Sequence, residues 1–359
     1  MATRIKYYDN LKFIAFIMVI IIHAGSRYLY DGSISVESAS GTFINISYCL
    51  SRACVPIFFM VSGALLYKSK NIDIKNFYKN KFFNIVIPFL IIASFTFLID
   101  NRNDINFALI KDFVRRILEQ NYTFHYWYIY SLIQILILAP FLKKIVEKCN
   151  KKELLILIIV LFAGTCLIAS IDDIFILFND NLDMKLFPNI FCYIGYTFLG
   201  HYLSSNDISE KNFNIFLILS LISMIYMGVC TYYIARFADF EIFYKYTTIN
   251  VLFPSITMFL IFKKFFNKKF FYTGLTKFTY YSYLVHILIL NFFVDKINVY
   301  NPIEGFKSVA INIIIATICT AIFSILFGYI YYFLDSKIKG VFNKKPSKNY
   351  IKKILHLSI

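Results

Sequence analysis

Ten stretches of about 20 mostly apolar residues run through this chain, near 11–30, 43–66, 82–99, 126–146, 153–171, 186–203, 212–234, 248–262, 275–294 and 308–334. A backbone inside a bilayer has no water to bond to, so each stretch must satisfy its own N–H and C=O groups as a helix. The chain is therefore predicted to be an all-α integral membrane protein, a bundle of about ten transmembrane helices. The run at 248–262 is the weakest, being short and containing Pro254. Composition agrees: 59% of the 359 residues are hydrophobic and 16% charged, more apolar surface than one globular core needs.

The connections test this count independently. With a cytoplasmic N-terminus, ten spans place 26 Lys and Arg residues on the inside and 10 on the outside, with Arg52 inside a span. Acidic residues divide the other way, 7 inside and 14 outside. Lys/Arg bias sets orientation, so both termini are expected in the cytoplasm, with a transmembrane domain over 1–340 and a basic cytoplasmic tail over 341–359. The net charge of +16 follows from this pattern and implies contact with an anionic lipid surface rather than with nucleic acid. Arg4, Lys6 and Lys12 precede the first apolar run as in a signal peptide, but His23 interrupts that run and no small-x-small cleavage site follows, so it reads as a span. The seven cysteines form no C-x-x-C pair, and neither a disulfide framework nor a metal site is expected.

Ionisable groups at bilayer depth are costly and mark functional sites by default. At ~1.5 Å rise per residue, His23 lies about 12 Å below the outer surface of a ~30 Å core. Arg52, nine residues into the second run, lies about 13 Å below the same surface, and His286 about 16 Å from the inner one. Three such groups at one level predict a single water-accessible cavity. Each also has a structural reading: a satisfied buried imidazole for the histidines, and for Arg52 an ion pair with an outer carboxylate such as Asp31 or Glu37. The segments 100–125 and 172–185 carry rings beside polar groups, which suits a sugar face, although Trp127 and its neighbouring tyrosines also fit an interfacial aromatic belt.

The stretches YYDNLKFIAFIMVIIIH, SRACVPIFFMVSG, HYWYIYSLI, YIGYTFLGHYL and YYSYLVH, in this order, resemble the landmarks of the acyltransferase-3 family. The resemblance covers essentially the whole chain. It implies a ten-helix acyltransferase of the bacterial plasma membrane, in a family many of whose members O-acetylate surface glycans. The family's basic-x10-His motif falls on Lys12 and His23 and implies that His23 is catalytic. The family's Arg-x-x-Arg aligns with Lys81-Phe82-Phe83-Asn84, which keeps one cation and loses the other. The resemblance also includes His125.

Moving an acyl group from a thioester to a hydroxyl needs a base and positive charge or donors for the oxyanion. His23 suits the base and Arg52 the oxyanion or acceptor, with Lys12 and Lys81 near the inner mouth for the phosphates of acyl-CoA, acetyl-CoA in the simplest case. His125, Trp127 and His286 are the candidate contacts to a glycan or lipid-linked sugar. Whether His23 acts as base or carries the acyl group covalently is open at this stage. So are two other classes of function, a glycolipid or small-molecule flippase using the same cavity, and a structural partner in polysaccharide assembly with a decayed motif.

Overall fold

A computed structural model describes residues 5–30, 32–68, 73–102, 106–177, 186–234, 240–297 and 305–343. The tail beyond 343 lies outside them, as do Asp31 and 178–185 of the second outer segment.

Every expected apolar run is helical. In chain order the helices are α1 (Lys6–Tyr30), α2 (Ala39–Ser51), α3 (Cys54–Leu66), α4 (Ile74–Lys81), α5 (Ile87–Asp100), α6 (Phe107–Leu118), α7 (Trp127–Lys148), α8 (Lys151–Phe162), α9 (Ile168–Leu177), α10 (Asn189–Ser205), α11 (Glu210–Ile234), α12 (Ile249–Phe265), α13 (Thr279–Ile297) and α14 (Phe306–Asn343). Two runs are each built from two helices, α2–α3 and α8–α9, and the run at 82–99 is α5 with the turn that joins it to α4. Among the described residues eight helical segments are long and apolar enough to cross a membrane, which makes this a multi-pass membrane protein. The run expected to be weakest is one of the eight, because a turn at Ile242–Tyr244 precedes α12 and the segment counted from it runs to Phe265. The two short ones are α10, of 17 residues, and α13, whose apolar part is Thr279–Val294. α10 is enclosed by protein, every residue from Cys192 to Gly200 being buried, so its surroundings are set by neighbouring helices rather than by lipid thickness.

The breaks have chemical causes. Pro56 lacks the N–H that would bond the Arg52 carbonyl, so the second run kinks at Arg52–Ala53. Pro88 stands in the same relation to Asn84, and there the chain widens into a π-type turn at Phe82–Val86.

α3 and α10 meet backbone to backbone. A Cβ on Gly63 would lie 2.0 Å from the Thr197 carbonyl oxygen, and one on Gly200 would lie 2.0 Å from that of Met60. Small residues let helices approach this closely where no hydrophobic effect drives them together. The first turn of α1 is held by Asn10, whose Nδ2 donates to the carbonyls of Phe266 (2.7 Å) and Lys268 (3.0 Å), and by Asp9, which accepts from Thr276 (3.0 Å). This anchoring fixes α1, and with it the height of His23, against the turn between α12 and α13.

α6 has no counterpart among the expected spans. Its Ile110, Val114 and Leu118 form an exposed apolar stripe at intervals of four residues, beside Arg115 and Arg116, which both pair with Asp112. That pattern belongs to a helix lying along a membrane interface.

We expect Gly63→Ala to destabilise the protein by about 1–3 kcal/mol, because backbone atoms cannot turn aside as a side chain would. Gly274→Ala, at a position with open space, should melt like the parent in detergent. Orientation is checked by single cysteines in a cysteine-free background. One at Lys151 should be shielded from impermeant reagents in intact cells, while one at Glu119 should react.

Candidate active site

The kink at Arg52 turns a guanidinium into the interior, and the described chain at 240–248 folds inward to meet it. Arg52 Nε donates to the Tyr244 carbonyl (2.6 Å), Nη2 lies 3.5 Å from Glu241 Oε1, and the cation sits 4.7 Å from the centre of the Tyr246 ring. The rings of Tyr48 and Tyr244 flank it at 5.5 and 5.6 Å. Among the described residues the carboxylate beside Arg52 is thus Glu241 and not the Glu37 considered from sequence, while Asp31 lies outside the described residues.

Irregular backbone among spanning helices survives only where protein or a cavity satisfies it. Here the Tyr244 hydroxyl bonds Asn45, and Tyr196 donates to the Tyr246 carbonyl (3.1 Å). Lys245 pairs with the fully buried Asp173 (2.8 Å), and Ser170 accepts from the Ile249 N–H (2.9 Å). Segment 240–248 is therefore a fixed wall tied to α2, α9 and α10.

That wall bounds a cavity of about 730 Å³. His23, Arg52 and Trp127, three of the residues singled out from sequence, all line it, together with Glu241, Tyr246 and Asn291. Trp127 packs its ring against Tyr193 (5.7 Å) and Tyr246 (5.4 Å), so it belongs to the cavity wall. Arg27, at the rim, donates to Asn291 (3.2 Å). The volume is in the range of small-molecule sites, and the lining is mostly apolar with a few polar groups.

His125 and His286 do not line this cavity. Both are buried, His286 completely, and lie behind His23. Ring centres are 5.3 Å apart for His23 and His286 and 5.0 Å for His125 and His286. His125 sits in a short turn, Phe124–Tyr126, stapled to α13 by two reciprocal bonds: Tyr126 Oη to the Leu284 carbonyl (3.0 Å) and Tyr283 Oη to the His125 carbonyl (2.8 Å). An acceptor in the cavity would meet Phe124, which is 66% exposed and packs its edge on His23 at 5.2 Å, before it met His125.

Lys12 and Lys81 are elsewhere. Lys12 is half-buried near the lysine-rich end of α1, about 16 Å along the helix from His23. Lys81 ends α4 at that same end, its ammonium 5.5 Å from the Phe77 ring centre. Neither lines the cavity. Among the described residues no group of three His, Cys, Asp or Glu side chains could hold a metal ion.

Sequence reasoning missed Glu241, Tyr246 and Asn291. The signal for the first two was present: a cation inside a span demands an anion, and E-I-F-Y-K-Y-T-T offers one beside alternating tyrosines. We expect Glu241→Gln to cost about 1–3 kcal/mol by leaving a buried cation without its charge partner. The double variant Arg52→Met/Glu241→Gln should recover part of that loss. A double-mutant cycle on thermal stability checks this, and strictly additive effects would remove the pair as a unit.

A histidine on the wall of an intramembrane cavity, with a buried cation beside it and an anchored first helix below, is an arrangement suited to acyl transfer. No curated protein and no solved structure matches the chain. The family model described as an acyltransferase domain matches residues 5–352, nearly the whole chain. The polypeptide belongs to the acyltransferase-3 family and is a membrane acyltransferase.

Proposed function

We propose that the protein moves a short acyl group, acetyl in the simplest case, from acyl-CoA on the cytoplasmic side of a bacterial plasma membrane to a hydroxyl of a surface glycan or lipid-linked sugar. The observation that supports this reading is the position of His23, on the cavity wall at the end opposite the lysine-rich connections and beside Arg52. Charge bias makes the lysine-rich end cytoplasmic, so the cavity faces outward. Trp127 and Tyr246 offer rings, and Asn291 and Glu241 offer hydrogen-bonding groups, a mixture that suits a sugar. Lys12 and Lys81, at the lysine-rich end, suit the phosphates of the donor.

In this reading His23 takes the proton of the acceptor hydroxyl as that oxygen bonds to the thioester carbonyl carbon. The carbonyl oxygen becomes an oxyanion, and the Arg52 cation lies on the same cavity to stabilise it. Collapse of the intermediate breaks the C–S bond, whose electron pair leaves on the coenzyme A sulfur. The proton then passes from His23 to that sulfur, and no net charge is created.

Cells lacking the protein and complemented at matched expression provide the test, with surface-glycan acetylation as readout. His23→Ala should insert normally and lose transfer by ~10²-fold or more. His23→Gln keeps hydrogen bonding but not the titratable nitrogen, so it should be nearly as inactive. Near-parental acetylation by His23→Gln would sink this mechanism.

A further inference from the structure

The ring of His286 has a fixed polarity. Its Nδ1 lies against the backbone carbonyl of Tyr283, one helical turn earlier. A carbonyl oxygen only accepts, so Nδ1 carries the proton and Nε2 presents a lone pair. That Nε2 is buried with no hydrogen-bond partner among the described residues, and the side chain is completely excluded from solvent. An orphaned acceptor at this depth is costly and marks a site.

Two rings stand near enough to supply its donor. His125 lies within reach, its ring centre 5.0 Å from that of His286 at 77°, but of the two rings only His23 lines the cavity. His23 meets it at 36° with ring centres 5.3 Å apart. Two imidazoles joined edge to edge by an N–H···N bond of about 3 Å have their centres at about that separation. Catalytic hydrogen bonds are often loose in an unliganded site and tighten around substrate. From this geometry we infer that His286 orients His23. Its Nε2 accepts the N–H of the His23 nitrogen on that side, which leaves the lone pair of the other His23 nitrogen facing the cavity.

The chain of bonds runs from the Tyr283 carbonyl to His286 Nδ1–H, and from His286 Nε2 to the N–H of His23. It does what an orienting carboxylate does for a catalytic histidine, but with neutral groups, which avoids a buried anion among the helices. Arg52, Glu241 and Arg27 are the charged groups on the same cavity, and none of them lies behind His23 to take this role. His286 acts through His23 and is a positioning residue. The inference rests on the acyl-transfer reading only for its catalytic consequence, since the state of the His23 ring is a property of the resting protein.

The test separates the two. In full-length protein labelled with ¹⁵N-histidine and held in lipid nanodiscs, His23 should show one neutral tautomer, assigned by difference against His23→Gln. In His286→Leu the His23 nitrogens should move to averaged shifts of mixed tautomers, while in His286→Gln, whose amide oxygen can accept the same N–H, they should stay near the parental values. With acetyl-CoA as donor probe and cell-surface glycan as acceptor, His286→Leu should lower kcat by about 10²-fold at unchanged donor KM, and His286→Gln by less than about tenfold. His286→Leu added to His23→Ala should cost nothing further.

Unchanged His23 nitrogen shifts in His286→Leu would overturn the inference, whatever the activity. Altered shifts in a protein that transfers no acetyl, parent included, would uphold the orienting role and defeat the acyl-transfer reading instead.

Discussion

A guanidinium held inside a helix bundle dictates much of this architecture. Arg52 cannot give up its proton to escape burial, so its charge must be matched where it lies. No regular helix supplies what it needs: an acceptor in line with Nε, a carboxylate near Nη2, and aromatic faces around the cation. Segment 240–248 provides all three, and can do so only by leaving helical geometry, which in turn obliges Asn45, Ser170, Asp173 and Tyr196 to satisfy it. The cavity is the space left between this inward wall and α1. Pro56 completes the logic, since the kink it imposes on the second run is what turns Arg52 away from lipid.

Behind His23 the polar groups are uncharged side chains held to backbone carbonyls. Tyr126 and Tyr283 lock the His125 turn to α13 with one bond in each direction, and the Tyr283 carbonyl holds the His286 ring. His23 thus stands between a charged wall, where a developing negative charge would be stabilised, and a neutral, dry backing that sets ring orientation without adding charge. The two sides offer an acyl-transfer site different services, and they come from elements far apart in the chain.

The helices were legible because the bilayer allows so few alternatives. Periodicity, length and loop charge all point to the same ten runs, and rise per residue puts His23, Arg52 and His286 at one level, but it does not show that His286 stands behind His23 rather than on the cavity. What the sequence hid follows a common cause. The kink at Arg52 depends on the i, i+4 relation to Pro56, which a search for apolar runs passes over. Segment 240–248 resembled a polar loop because its burial depends on Arg52, almost 200 residues earlier. α6 reads as connecting chain because a 12-residue amphipathic helix is too short to register as a span. Trp127 reads from sequence either as an interfacial belt residue or as a ring for a sugar, and its place on the cavity wall depends on Tyr193 and Tyr246, which are far from it in the chain.

The contact of α3 with α10 carries a mechanical consequence. Helices that touch through side chains can slide, because each step is absorbed by rotamer changes. Gly63 and Gly200 touch main-chain carbonyls instead, and a slip of one residue would drive Ser62 or Ala64 into the space that a hydrogen atom now occupies. This pair works as a stator. Whatever yielding is needed to pass a bulky molecule through the bundle falls on the helices that have lipid, rather than backbone, for a neighbour.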